Sequence, residues 1–503
     1  MLEPLEAIRV TRPRRRRWAD RLAHTREVLS SRAKAWVPFA AAAVIAAVAL
    51  TAGPAPSAPL VAMLAAATMA LGRPSTGVAL TCLVAAVGAN AFLDLPGLPP
   101  LHVAEGMFLV LFAGTVARLA LQRRLPGDRD PLVVPYLAFF GWCVVSVAVV
   151  QLTSSGVGLV GQLDGLVLYL LPLLAYTTVT NSITTEREVR MVGAACAASM
   201  VGQLAVQLWH LGQSGVIGVG VSSRVFGTLH GNFLGAYYIV CVAFALALAA
   251  CEPRLVRRGA WLGAAALGLA GLVLAFSRAS LVSAMIAAVV AARRVLARRL
   301  LPRWLLYGAV LSATIAAYGF VTRELGAGAR LDEMSSARVP IAVDGIRIVG
   351  ERPVFGIGLD DYGKYTHFKE WHHLRGRLAP INSAHNDYLA VAAGAGLPAL
   401  GLYLWLLWRM GKSCRHLARS PGRFSAAIGT AAEAVFVAHL VENLASETVM
   451  GSFWNGEFAF LSARVYFWVM LAVVTASVKT LARQPTSVRH DSEVLGPREA
   501  AAR

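Results

Sequence analysis

Apolar runs of about 15 to 22 residues, bounded by charges or by Pro and Gly, recur along nearly the whole chain, and no other feature restricts the fold as strongly. Backbone groups in lipid have to be satisfied within their own segment, so runs of this kind fold as helices. Composition agrees. Of 503 residues, 57% are hydrophobic and 15% charged, with a mean hydropathy of +0.59, a combination foreign to ordinary soluble domains.

Fourteen candidate spans fall near residues 36–52, 58–72, 75–93, 103–121, 131–151, 163–180, 189–211, 231–251, 259–276, 279–293, 303–321, 385–408, 424–442 and 453–476. The first two are short and joined by GPAPSAP, and form either a tight hairpin or a signal-like segment behind a basic leader. The later topology is the same in both cases. With the N-terminus inside, the inner connections include Ala117 to Asp130, Thr184 to Arg190, Glu252 to Arg258, Arg293 to Arg303 and Arg409 to Arg423. These hold most of the short-loop Lys and Arg, as the positive-inside rule asks. The expected organisation is therefore an all-α transmembrane bundle of about 12–14 spans with both termini cytoplasmic. Residues 1–35 form a basic cytoplasmic segment, 36–321 about eleven spans, 322–384 a long periplasmic loop, 385–476 three more spans and 477–503 a cytoplasmic tail.

The net charge of +19 gathers in patches between apolar runs, the densest being TRPRRRRWADRLAHTREVLSSRAK (Thr11 to Lys34). Such patches suit anionic membrane lipids rather than nucleic acid. Six cysteines show no CxxC spacing and no clustering with histidine, so neither a disulfide framework nor a zinc site is supported. Within the long loop, VPIAVDGIRIVG (Val339 to Gly350) spaces its apolar residues like an amphipathic helix lying against the membrane face.

Cations in short outer connections break the charge rule and so carry information. Arg278 lies in LAFSRASLVSA, a tight outer turn, and Arg224 lies in SSRVFGTLHGNFLGAYY, just before a span. Either they snorkel to headgroup phosphates, or they point into a cavity and grip an anion through the guanidinium fork; two could hold a diphosphate. His385, in NSAHNDYLAVAAGAGLPALGLYLW, falls at the outer end of the span after the long loop, among Asn382, Ser383, Asn386 and Asp387. It is either a helix-end partner or a base that takes a proton from an attacking hydroxyl. Asn382, Ser383 or Asn386 serves as the N-cap, with Asp387 in a first turn whose dipole favours negative charge.

Four stretches together resemble the O-antigen ligase and polymerase superfamily: RVFGTLHGNFLGAYY (Arg224 to Tyr238), FSRASL (Phe276 to Leu281), GIRIVGERPVFGIGLDDYGKY (Gly345 to Tyr365) and SAHNDYLAVAAGAGLPALGLYL (Ser383 to Leu404). The "Pro, apolar, apolar, Gly, x, Gly" element followed by His-Asn-Asp-Tyr-Leu and a Gly-Leu-Pro step is specific as a pair. The likeness covers roughly residues 220 to 445. It implies a membrane glycosyltransferase that uses an undecaprenyl-diphosphate-linked glycan donor, with Arg224 and Arg278 on the diphosphate and His385 activating the acceptor. Asn386, Asp387 and Tyr388 are supporting candidates. It implies no metal and no cofactor, and Asp360-Asp361 stands where the family loop continues after Gly-x-Gly. Glu442, Glu447 and Glu457 are alternative bases. The family usually has about twelve spans, which leaves two of the fourteen as a re-entrant pair or an N-terminal addition. The expected reaction is inverting transfer that polymerises O-antigen or exopolysaccharide units onto a glycan acceptor. The alternatives are ligation to a lipid A core or a protein, and, from another class, a lipid-linked glycan transporter, which usually shows paired inverted repeats that are not visible here.

Overall fold

The computed structural model describes residues 72–87, 92–93, 101–122, 130–154, 158–214, 231–275, 277–296, 341–359, 362, 384–444, 446, 449 and 461–483. These are almost entirely helical. The helices are α1 (Pro74–Val87), α2 (Val103–Leu121), α3 (Val133–Thr153), α4 (Leu159–Ser182), α5 (Glu186–Ser214), α6 (Gly231–Cys251), α7 (Leu255–Leu274), α8 (Arg278–Leu296), α9 (341–351), α10 (Asp387–Ala418), α11 (Arg423–Glu442) and α12 (Leu461–Arg483). Six of them, α3, α4, α5, α6, α10 and α11, are long and apolar enough to cross a membrane, and shorter apolar helices lie within α1, α2 and α8. The protein is a multi-pass membrane protein.

Eleven of the expected spans coincide with helices. Those near 36–52 and 303–321, and 58–72 apart from Gly72, lie outside the described residues, as does most of the 322–384 loop. Three expected boundaries move: the span read as 385–408 continues to Ala418, into the connection expected at Arg409 to Arg423; the one read as 453–476 continues to Arg483, into the expected tail; and the one read as 75–93 is helical to Val87, with Phe92–Leu93 pairing antiparallel with Leu101–His102.

Local chemistry fixes several ends. At the start of α5, Thr185 and Glu188 form a capping box: the Glu188 amide donates to the Thr185 hydroxyl (3.3 Å) while the Glu188 carboxylate accepts from the Thr185 amide (3.0 Å). Helix α6 is the most buried of the six long apolar helices, with 83% of its apolar stretch inside the bundle, packed by α7, α11 and α12. At the end of the bundle where α5 starts and α6 finishes, Arg190 pairs with Glu252 (3.4 Å) and Arg423 donates to the Ala250 carbonyl (2.6 Å). Lys479 meets Asp130 there at 3.1 Å. These residues come from the connections and tail whose cations the sequence placed on one side.

At the opposite end α10 is broken. Gly396 (φ +86°, ψ 172°) is not helical and Pro398 follows it. Because proline has no N–H, the Gly394 carbonyl loses its helical donor. It accepts instead from the Gly358 amide (2.8 Å), the Ala393 carbonyl accepts from Ile357 (2.9 Å), and the Leu397 amide turns outward to Pro353 (2.7 Å). Gly356 (φ +64°) and Gly358 (φ +99°) supply the left-handed turns that let PVFGIG lie against the break. Around this joint, Trp142 of α3 donates to the Ala395 carbonyl (3.0 Å) and stacks on Phe355, and Gln162 of α4 accepts from the Leu359 amide (2.8 Å).

The expected amphipathic loop segment is α9, whose Ile341 and Ile348 pack with Ile357, Tyr362, Ala384 and Ala393. A Cβ at Gly396 would meet the Val354 carbonyl oxygen at 2.0 Å, whereas one at Gly401 meets nothing within 4 Å. Gly396→Ala is therefore expected to destabilise the protein by more than about 1 kcal/mol, and Gly401→Ala to leave it neutral or slightly firmer. Thermal unfolding of the two variants in detergent checks this, and equal melting temperatures would contradict it.

Candidate active site

The site is built where three helix ends meet. Helix α10 begins at Asn386, whose side-chain oxygen accepts from the Leu389 amide (3.0 Å), so Asn386 is the N-cap. His385 immediately precedes it with φ +50°, the left-handed region, and is half-buried. Among non-glycine residues of the described chain it alone has positive φ. Such positions are retained where surrounding contacts over-determine them.

Those contacts come from the end of α11. The Asp387 amide donates to the Asn443 carbonyl (3.0 Å), the Asn386 side-chain amide to the Leu444 carbonyl (3.2 Å), and the Tyr388 hydroxyl to the Leu440 carbonyl (2.8 Å). These satisfy one carbonyl in the last turn of α11 and two just past its end. Asp387 is 1% exposed, and its carboxylate accepts from the Val449 amide (3.0 Å). Asn443 in turn reaches the Tyr403 hydroxyl (3.4 Å). Asn386, Asp387 and Tyr388 thus fix the helix end that His385 immediately precedes.

The same turn of α11 holds α8. Glu442, 1% exposed, accepts from the Ser280 hydroxyl at 2.5 Å. Ser277 stands just before α8 and accepts from the Ser280 amide (3.3 Å), and the two hydroxyls lie 2.8 Å apart. Arg278 is the first residue of α8, between these serines. Helix α6 closes on the same turn: a Cβ at Gly235 would lie 2.2 Å from Ser280 Oγ and 2.4 Å from its Cβ. Residues 440–444 therefore bring together the turn carrying His385 and the turn carrying Arg278. Arg224 lies outside the described residues, as do Glu447, Glu457, Asp360 and Asp361. Among the described residues no group of three or more His, Cys, Asp or Glu converges in a way that could hold a metal ion.

Arg464 escaped the sequence reading. It stands near the start of α12, is 3% exposed, and its guanidinium lies 5.2 Å from the centre of the Phe233 ring at the start of α6. A scan of connections for misplaced cations passes over a cation lying within an apolar run. The available signal was a charge inside LSARVYFWVM, since ionisable residues within spans default to function.

Residues 263–404 match the O-antigen ligase family. The match begins within α7 and ends within α10, taking in Arg278, α9, the PVFGIG element, His385 and the Gly-Leu-Pro break. It supports the resemblance to the O-antigen ligase and polymerase superfamily, whose chemistry is glycosyl transfer from lipid-linked glycans. Helices α11 and α12 lie beyond the match. No curated protein matches the chain.

Within the matched region Asp387 has a checkable structural role. Asp387→Ala leaves the buried Val449 amide without its acceptor and is expected to cost about 1–3 kcal/mol of stability. Asp387→Asn keeps an oxygen for that amide and should cost less. Thermal unfolding of both variants reads the difference, and a milder effect for alanine would contradict it.

Proposed function

We propose that the protein transfers a glycan from an undecaprenyl-diphosphate-linked donor to an acceptor hydroxyl at the outer face of the bacterial cytoplasmic membrane. The observation that carries this reading is the convergence of the His385 turn and the Arg278 turn on one turn of α11. In this reading the α8 start and the α10 start face outward, and the cation-rich end faces the cytoplasm.

Arg224 and Arg278 bind the donor diphosphate and stabilise the charge that grows on it as the anomeric C–O bond breaks. His385 accepts the proton of the acceptor hydroxyl, whose oxygen forms the new bond from the opposite face, so configuration inverts. The lipid diphosphate leaves with the electron pair of the broken bond. The left-handed backbone at His385 supports an active role, because strain of that kind concentrates at functional positions. No resident metal takes part in this reading.

The acceptor is a growing glycan, and the product is an O-antigen or exopolysaccharide polymer. The family description favours a second reading, ligation of a finished glycan to a lipid A core or a protein. Deletion separates them. Collapse of the glycan length distribution to single units indicates polymerase, and long chains accumulating on the lipid carrier indicate ligase.

For the chemistry, His385→Ala is expected to slow transfer by about 10²–10⁴-fold with donor binding retained. Unchanged transfer by the purified variant would remove His385 as the base. Arg278→Lys is expected to restore little of what Arg278→Ala loses, because an ammonium cannot make the two-point contact.

A further inference from the structure

We infer that Glu442 is a positioning residue for the donor diphosphate, acting through Ser280 on the turn that carries Arg278; this rests on the diphosphate reading of Arg278 above. Three observations converge. Glu442 is almost fully buried at the end of a membrane helix, where an ionisable side chain is costly to keep. One of its oxygens accepts from the Ser280 hydroxyl at 2.5 Å, and Ser280 meets Ser277 on the other side of Arg278. Its second oxygen, Oε2, has no hydrogen-bond partner among the described residues, although buried carboxylates with purely structural roles are ordinarily satisfied at both oxygens.

The placement of Glu442 gives these facts a direction. Its neighbours Asn443 and Leu444 receive the hydrogen bonds that fix Asn386 and Asp387, so the backbone of this turn serves the His385 side of the site. The side chain of Glu442 serves the other side. The close approach at Gly235 leaves the first turn of α8 pressed between α6 and α11, with the Glu442–Ser280 bond on the α11 face. Losing that bond frees the turn toward α11 and misplaces Arg278, which lowers affinity for a diphosphate without removing the base.

The test uses full-length protein in detergent and undecaprenyl diphosphate as the probe, so the unknown sugar does not enter. Glu442→Ala and Ser280→Ala are each expected to weaken binding about tenfold. The double variant should be no weaker than the worse single one, because both remove one contact. Glu442→Gln, which keeps an oxygen for Ser280, should bind close to the parent, and it also serves as the variant that preserves the fold. Parallel thermal unfolding reads general destabilisation, which a merely structural role would show in proportion to the affinity loss. Parental affinity in Ser280→Ala, or losses that multiply in the double variant, would overturn the role of Glu442 while leaving Arg278 in place. Undiminished binding in both Arg224→Ala and Arg278→Ala would overturn the diphosphate reading and this inference with it.

Discussion

A broken helix inside a membrane protein has to find partners for the backbone groups it releases, and the rest of this architecture follows from how α10 does so. Pro398 removes one donor and Gly396 turns another outward, which would leave two carbonyls and an amide without partners. The PVFGIG element supplies all three contacts through Ile357, Gly358 and Pro353. The described stretch 341–359 of the long loop is thereby tied to α10. From there α9 packs over Ala384 and Leu389, on either side of His385 in sequence.

The same economy governs the other end of the site. The carbonyls at the end of α11 need donors, and Asn386, Asp387 and Tyr388 provide them from the first turn of α10. Asn443 and Glu442 then face two different helices from adjacent positions. A site assembled this way depends on a short turn of α11 that contributes geometry to both halves. That turn and Arg464 of α12 lie outside the region matched at 263–404.

Much of the fold was legible in the sequence because apolar run length and flanking charge are local properties. Most of the expected spans appear as helices within a few residues of the predicted ends, and the amphipathic segment of the long loop is helical. The pairing of "Pro, x, x, Gly, x, Gly" with Gly-Leu-Pro was visible as a pair of motifs, but not its cause. The hydrogen bonds that join them link residues about forty positions apart, and periodicity carries no information about such contacts. The N-cap was open among Asn382, Ser383 and Asn386, since all three have suitable side chains; geometry selects Asn386. Glu442 was read only as a spare base, because its contact with Ser280 crosses 162 positions. Arg464 was hidden by a rule that inspects connections rather than spans.

On the proposed reading, the first turn of α8 and the first turn of α10 form one site for a lipid-linked diphosphate. It is tested most directly by photo-crosslinking the full-length protein with a photoreactive undecaprenyl diphosphate analogue and mapping the labelled peptides. Label is expected on the peptide around Ser277–Ser280 and on the one around Ala384–Tyr388, displaced together by unlabelled undecaprenyl diphosphate. Label confined to the cation-rich end of the bundle, or to only one of the two turns, would contradict it.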